Sequence, residues 1–438
     1  MISLALRLFR YHRAAAVATG LVALVGMALV VAMAALLDTG LAESTAAADR
    51  AFLTQFPLIL GGWVVAIVVF AMVSTIGVTV SGRAGEIAGL RLIGASPRQV
   101  RTLISAETLA IAVAAVLPGL GVGYLLGWIL MSSIRSAGLT DPASSYAPGV
   151  GLPVAGVAVV LAASAAAAWI GSRKPAGRSP VGDPVPTVSK RRRATGRRVV
   201  AGIMLVAGIG SASAVLGLPA DNIATTGMTG PATVLIAVSL AVLAPELVNV
   251  VNRVLRVLSS LPRGAAAHLA AINLSAAPER VRPLVTFLTL LVGVSAGTLS
   301  MQGIENQHAS PDSTARVLAS VNYLVVVLIA LFMAIALTNN LVAAIARRRE
   351  EFAVISLIGS TIGQARGMLL RETAAATIIS VVAGGLGALV CVIPFAIVKT
   401  GSPAAAFHVG PYLVSIAIGA AVALGVTAVA GSRTIRNA

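Results

Sequence analysis

Ten stretches of this chain are each long and apolar enough to cross the hydrocarbon core of a bilayer, and no other feature narrows its fold as far. They lie near residues 14–37, 56–80, 104–133, 152–171, 199–217, 228–250, 283–303, 319–345, 368–398 and 411–430. Lipid offers no partner to a free backbone N–H or C=O, so a crossing by one segment of about 20 residues has to be an α-helix. The expected fold is therefore all-α and polytopic, with about ten transmembrane helices. Composition agrees: 58% of the 438 residues are hydrophobic and 11% charged, too little polar surface for a water-soluble domain.

Thirty-two Lys and Arg against fifteen Asp and Glu give a formal charge of +17. These cations punctuate apolar segments instead of gathering on one soluble face, which points away from nucleic acid and towards membrane topology. With the N-terminus inside, the cytoplasmic segments and adjoining helix ends collect 28 of the 32, leaving only Arg50, Arg135, Arg316 and Lys399 outside. That bias predicts a cell membrane protein with both termini cytoplasmic. The external loops near 38–55, 134–151 and 304–318 stay under twenty residues, too short to fold alone. The lone Cys391 excludes an internal disulfide, and the four histidines, His12, His268, His308 and His408, are too scattered to suggest zinc.

A repeat divides the chain. Arg83 to Glu107, RAGEIAGLRLIGASPRQVRTLISAE, returns 265 residues later as Arg348 to Glu372, RREEFAVISLIGSTIGQARGMLLRE, with nine of 25 positions identical. Leu24-Val25-Gly26 likewise matches Leu291-Val292-Gly293, and Gly-Ser-Arg closes both the fourth and the tenth span. Spans one to four thus correspond to spans seven to ten, in the same orientation, with two spans between them. The expected organisation is an N-terminal interfacial helix at 1–13, a first four-helix unit at 14–173 and a basic linker at 174–198 facing membrane lipids. A two-helix connector at 199–250, an interfacial segment at 251–282 and a second four-helix unit at 283–438 follow.

Within each insert a short helix is expected to end at a glycine in the left-handed region, Gly94 or Gly359. A new helix then starts from a capping box, Ser96-Pro97-Arg98-Gln99 or Thr361-Ile362-Gly363-Gln364, and runs into the next span. Ile87, Ala88, Leu90, Leu92 and Ile93 surround the axis of the first short helix, as Phe352, Ala353, Ile355, Leu357 and Ile358 do the second, so each wants burial on most sides. Two readings stand: a docking knob for another protein, or an element packed under its own bundle. Glu107 and Glu372 lie just inside spans three and nine, where a carboxylate is costly, and are expected either to anchor the interface beside Arg101 or Arg366 or to relay insert movement into the span. Gly119, Gly123 and Gly127, with Gly384 and Ala388 at the matching offset, predict close helix approach. Trp63, Trp128 and Trp169 read as interface anchors, and Asn339 and Asn340 as candidates for a substrate path or an interhelical bond.

The run from Arg83 to Ser96, followed by Gln99-Val100 and a glycine-rich span, resembles the signature of the FtsX-like permease domain of ABC transporters, and 348–366 resembles it more weakly. The resemblance implies two FtsX-like units, with coupling helices at Glu86, Ile87, Leu90, Arg91, Leu92, Ile93 and Gly94, and at Glu351, Phe352, Ile355, Ser356, Leu357, Ile358 and Gly359. It further implies partner ATPase subunits, two copies for two coupling helices, which hold the ATP and Mg. This chain has no GxxxxGK[ST] phosphate loop and no expected cofactor or catalytic residue of its own. The second copy departs in having Ser356 where the first has Arg91, and it lacks the proline of the first capping box. Bacitracin-type permeases are similar in span number but carry a large external domain after span seven, where this chain has only a short loop. The implied function is ATP-driven export or extraction of a hydrophobic or peptide-like compound such as an antibiotic from a bacterial membrane. The alternatives are a regulatory module acting on a sensor kinase or cell-wall hydrolase, and an ATP-independent carrier using Glu107 and Glu372.

Overall fold

In the computed structural model, the described residues are 13–177, 187–220, 222, 224–257, 272, 281–308 and 314–436. The interfacial helix expected at 1–13 lies outside them save Arg13, as does most of the interfacial segment expected at 251–282. The described residues form fourteen α-helices: α1 Arg13–Leu41, α2 Ala47–Gly82, α3 Ala84–Leu92, α4 Pro97–Ala114, α5 Val116–Ser136, α6 Gly151–Gly177 and α7 Thr187–Ala214; then α8 Ala224–Val242, α9 Ala244–Val257, α10 Arg282–His308, α11 Thr314–Ala346, α12 Arg349–Leu357, α13 Ile362–Thr400 and α14 Val409–Arg436. Ten helices are long and apolar enough to cross a membrane, so the chain is an all-α, multi-pass membrane protein.

The chain forms two compact units. One holds α1 to α6 together with Glu305–Phe332. In it α1 is the central helix, lying against α2, α5 and α6, with Val22, Ala23, Met27, Val31 and Leu36 wholly buried. Between helices in lipid, association rests on close packing rather than on release of water, so small residues mark the contacts. A Cβ on Gly123 would come within 2.6 Å of Val31, which is why α5 can lie so tightly on α1. The stretch after α5 is held by side chains: Asp49, 8% exposed, accepts hydrogen bonds from the Asp141 N–H and the Ser144 hydroxyl. Tyr146 donates to the Tyr124 carbonyl and Tyr124 to that of Gly149.

The other unit holds α7 to α9, α10 up to Ile304, and the chain from Met333 on. Here α10 is enclosed by α8, α13 and α14: Gly293 meets Gly384 backbone to backbone, Gly297 meets Thr233, and Leu288 meets Gly419. Helices α7 and α8 pack on α13 through Ala212, Ala232, Ile236 and Cys391. Asn340 donates from Nδ2 to the carbonyl of Ala336 in its own helix, at 2.7 Å. Trp63, read from sequence as an interface anchor, is instead buried in the first unit.

Two expected spans are broken by proline. The third, read as one segment over 104–133, is α4 and α5 meeting at Ala115, because Pro118 offers no N–H to the carbonyl of Ala114 and crowds it. Ala383 stands at the matching place in the second copy, and α13 runs 39 residues unbroken. The sixth span ends at Val242, and α9 starts afresh with Pro245 in its first turn. Its Glu246 accepts from Arg197 Nη2 at 2.6 Å and Arg198 Nε at 2.9 Å, tying the start of α9 to α7.

Burial opposes the charge of Glu246, but the hydrogen bonds from Arg197 and Arg198 outweigh it and hold its pKa below the usual carboxylate value. A depressed carboxylate stabilises the fold above its unfolded pKa and loses that contribution as pH falls through the folded one. The hydrogen-exchange protection factors of the α9 amides, rates corrected for the intrinsic pH dependence of exchange, should therefore fall as pH drops below about 4.5, and Glu246→Gln should remove that fall. A protection factor that does not change with pH would show the tie to be idle.

Candidate functional site: the paired inserts

Each insert is a nine-residue helix, a glycine turn and a capped helix, and the chemistry of each corner follows from its residues. Gly94 and Gly359 sit at φ +96° and +95°, where a side chain would be strained. The N–H of Gly94 bonds the Arg91 carbonyl and that of Ala95 the Leu90 carbonyl; Gly359 and Ser360 do the same with Ser356 and Ile355. This pair of bonds satisfies carbonyls that a helix end leaves open. Two residues further on, Ser96 accepts from the Gln99 N–H while the Gln99 side chain accepts from the Ser96 N–H, and Thr361 and Gln364 repeat the exchange. Both turns are thus locked on each side.

The short helices are two-faced rather than buried all round. Ile87 and Phe352 point inward at 3% and 2% exposure, whereas Leu92, Ile93, Leu357 and Ile358 stand 63% to 86% exposed at the tips. Leu90 and Ile355 lie half-buried between them. The physical reason is the glycine turn, which ends each helix before its last apolar pair can reach the bundle.

Beneath each tip an arginine gathers two carboxylates. Arg83 donates from Nε to Glu86 at 3.1 Å and from Nη1 to Glu107 at 2.7 Å. Arg348 donates from Nη2 to Glu351 at 3.0 Å and from Nη1 to Glu372 at 2.6 Å, with its guanidinium above the ring of Phe352. Glu107 and Glu372 are 6% and 3% exposed along their side chains. Burial works against the charge on either arginine, but Glu107 and Glu86 outweigh it and raise the Arg83 pKa, as Glu351 and Glu372 do for Arg348. Each hub joins the end of one span, the short helix and the helix that leads into the next.

This corrects the expected partners of the buried glutamates. Glu107 pairs with Arg83, 24 residues away, and Arg101 instead lays its guanidinium 3.7 Å above the ring of Trp169, tying α4 to α6. In the second copy Val429 stands at the place of Trp169, and Arg366 is exposed. Sequence reasoning missed the arginine hubs, although the signal was present: Arg83, Glu86 and Glu107 are three of the nine identical positions.

A cavity of about 20 Å³, room for roughly one water, lies beside Arg83 and Glu107 among Thr19, Thr79 and Thr108. Its lining sets these three hydroxyl-bearing residues next to the first hub, alongside the hydrocarbon of Ile76, Val80, Ile104 and Ile111. The arrangement has no nucleophile beside a base and no converging metal ligands among the described residues. What it can do is mechanical: a force on an exposed tip reaches a buried ion pair and, through it, a membrane helix.

The chain matches the family model described as FtsX-like permease C-terminal at residues 58–176 and 323–437, together more than half of its length. Each matched segment contains one complete insert with its hub. No curated protein matches the chain.

Proposed function

The chain belongs to the FtsX-like permease family and is a membrane component of an ABC transporter, and from that premise we propose that its two inserts are the surfaces that partner ATPase subunits grip. Permeases of this family work with such subunits. The coupling helices are Glu86 to Gly94 and Glu351 to Gly359, each meeting one of two ATPase copies in which ATP and Mg are bound. ATP binding brings the ATPases together and presses on the tips. The hubs carry that displacement through Glu107 and Glu372 into the membrane helices, and the movement exports or extracts a hydrophobic or peptide-like compound, such as an antibiotic, from a bacterial cell membrane.

One observation carries this reading: the same apolar tip, locked turn and buried arginine hub are built twice, with the tip exposed both times. A loop needs none of this, and exposed apolar groups on a stiff mount mark an interaction site. The test is reconstitution of the permease with its ATPase in nanodiscs, with ATP turnover measured against a panel of peptide antibiotics and lipids. The expected result is a several-fold stimulation by at least one compound that the ATPase alone does not show. A complex that no lipid or peptide stimulates, but that co-purifies with a kinase or cell-wall hydrolase, would overturn the export reading.

A further inference from the structure

The two tips are alike in shape and unlike in charge. From residue 88 to 99 the first reads AGLRLIGASPRQ and holds Arg91 and Arg98; the matching stretch 353–364 reads AVISLIGSTIGQ and holds no charge. Both arginines of the first tip are under-used within the chain. Among the described residues Arg91 reaches the Ala95 carbonyl alone, from Nη1 at 3.4 Å, and its buried Nε has no hydrogen-bond partner there. Arg98 is exposed in the first turn of α4, with no ion-pair partner among the described residues. At the second tip Ile362, 58% exposed, replaces Pro97 and extends the apolar surface of Leu357 and Ile358. Its nearby cations lie away from the tip, Arg347 and Arg349 at the far end of α12 and Arg366 and Arg371 further along α13.

On the docking reading proposed above, we infer that the ATPase surface is an apolar slot flanked by carboxylates, and that only the first insert engages those carboxylates. Leu92 and Ile93 fill the slot while Arg91 and Arg98 meet acid at its rim. Leu357, Ile358 and Ile362 fill the same slot on the other ATPase copy and leave its rim unanswered. The two grips then differ in kind: the first is electrostatic and apolar, the second apolar alone. Charged rims govern the salt dependence of association far more than an apolar contact does.

The test uses the full permease in nanodiscs and its ATPase, with one insert disabled at a time. In Leu357→Asp/Ile358→Asp only the first insert can dock, and in Leu92→Asp/Ile93→Asp only the second. Between 50 and 300 mM NaCl the Kd of the first form should rise about tenfold and that of the second less than about twofold. Adding Arg91→Ser and Arg98→Gly to the first form should flatten its salt response, and adding Ser356→Arg and Gly363→Arg to the second should create one. Equal salt responses in the two single-insert forms would overturn the inference while leaving docking itself in place. Failure of the unaltered permease to bind the ATPase at any salt would overturn the docking reading and the inference together.

Discussion

Replacing Arg348 by alanine should destabilise the second unit by about 3–5 kcal/mol, the usual consequence of removing one partner of a buried ion pair, because Glu372 is 3% exposed and loses the guanidinium 2.6 Å away. Arg83→Ala should act in the same direction and less strongly, since Arg83 is somewhat more open and its pair borders a small cavity that three threonines help to line. Thermal unfolding in detergent reads both. A second variant separates support from transmission. Arg348→Met with Glu372→Leu exchanges the ion pair for apolar groups of similar volume, and such exchanges recover or exceed the original stability. It cannot restore the tie to Glu351, so substrate-stimulated ATP turnover should stay depressed, by about tenfold or more, in a protein that folds and binds its ATPase. Full stimulation in that variant would show that the hub holds the fold and transmits nothing.

The second large effect concerns the tips. Changing Leu92, Ile93, Leu357 and Ile358 together to aspartate should weaken ATPase binding by more than about 100-fold. Each apolar side chain contributes roughly 1.5–3 kcal/mol when taken out of water, and 1.4 kcal/mol is a factor of ten. Because these four side chains are 63% to 86% exposed, the permease itself should unfold at an unchanged temperature. Binding retained within about threefold would remove the tips from the interface.

Much of this was legible in the chain because it is local. Spans follow from a run of about 20 apolar residues, and the turns follow from Gly94, Gly359 and the two capping boxes, each settled within six residues. What escaped was set by distance or by a single atom. The partner of Glu107 is 24 residues away, at the junction of α2 and α3, whereas Arg101 is near it in sequence on the same helix. Hydropathy runs smoothly across Pro118 and Pro245, although each removes an N–H and ends a helix. The two-faced character of the short helices depends on where the bundle stops, which no periodicity in nine residues records. The orphaned Nε of Arg91 is likewise a property of packing.

The unbroken course of α13 has a mechanical meaning. At 1.5 Å per residue its 39 residues make a rod about 58 Å long. A rigid tilt of about 5° at Ile362 would carry Thr400 sideways by about 5 Å, and the first backbone bond that proline removes along this helix is at Pro394, near its far end. The same tilt of α4 arrives at Ala115 after 18 residues, about 27 Å, as a shift of roughly 2 Å, and there it meets a joint with a missing backbone bond. Two equal strokes, delivered as proposed above, would thus enter shafts of unequal compliance. On the docking reading proposed above, the second copy would act as a lever that stays stiff as far as Pro394 and the first as one with a joint at Ala115, so one chain would pass a stroke further on one side than on the other.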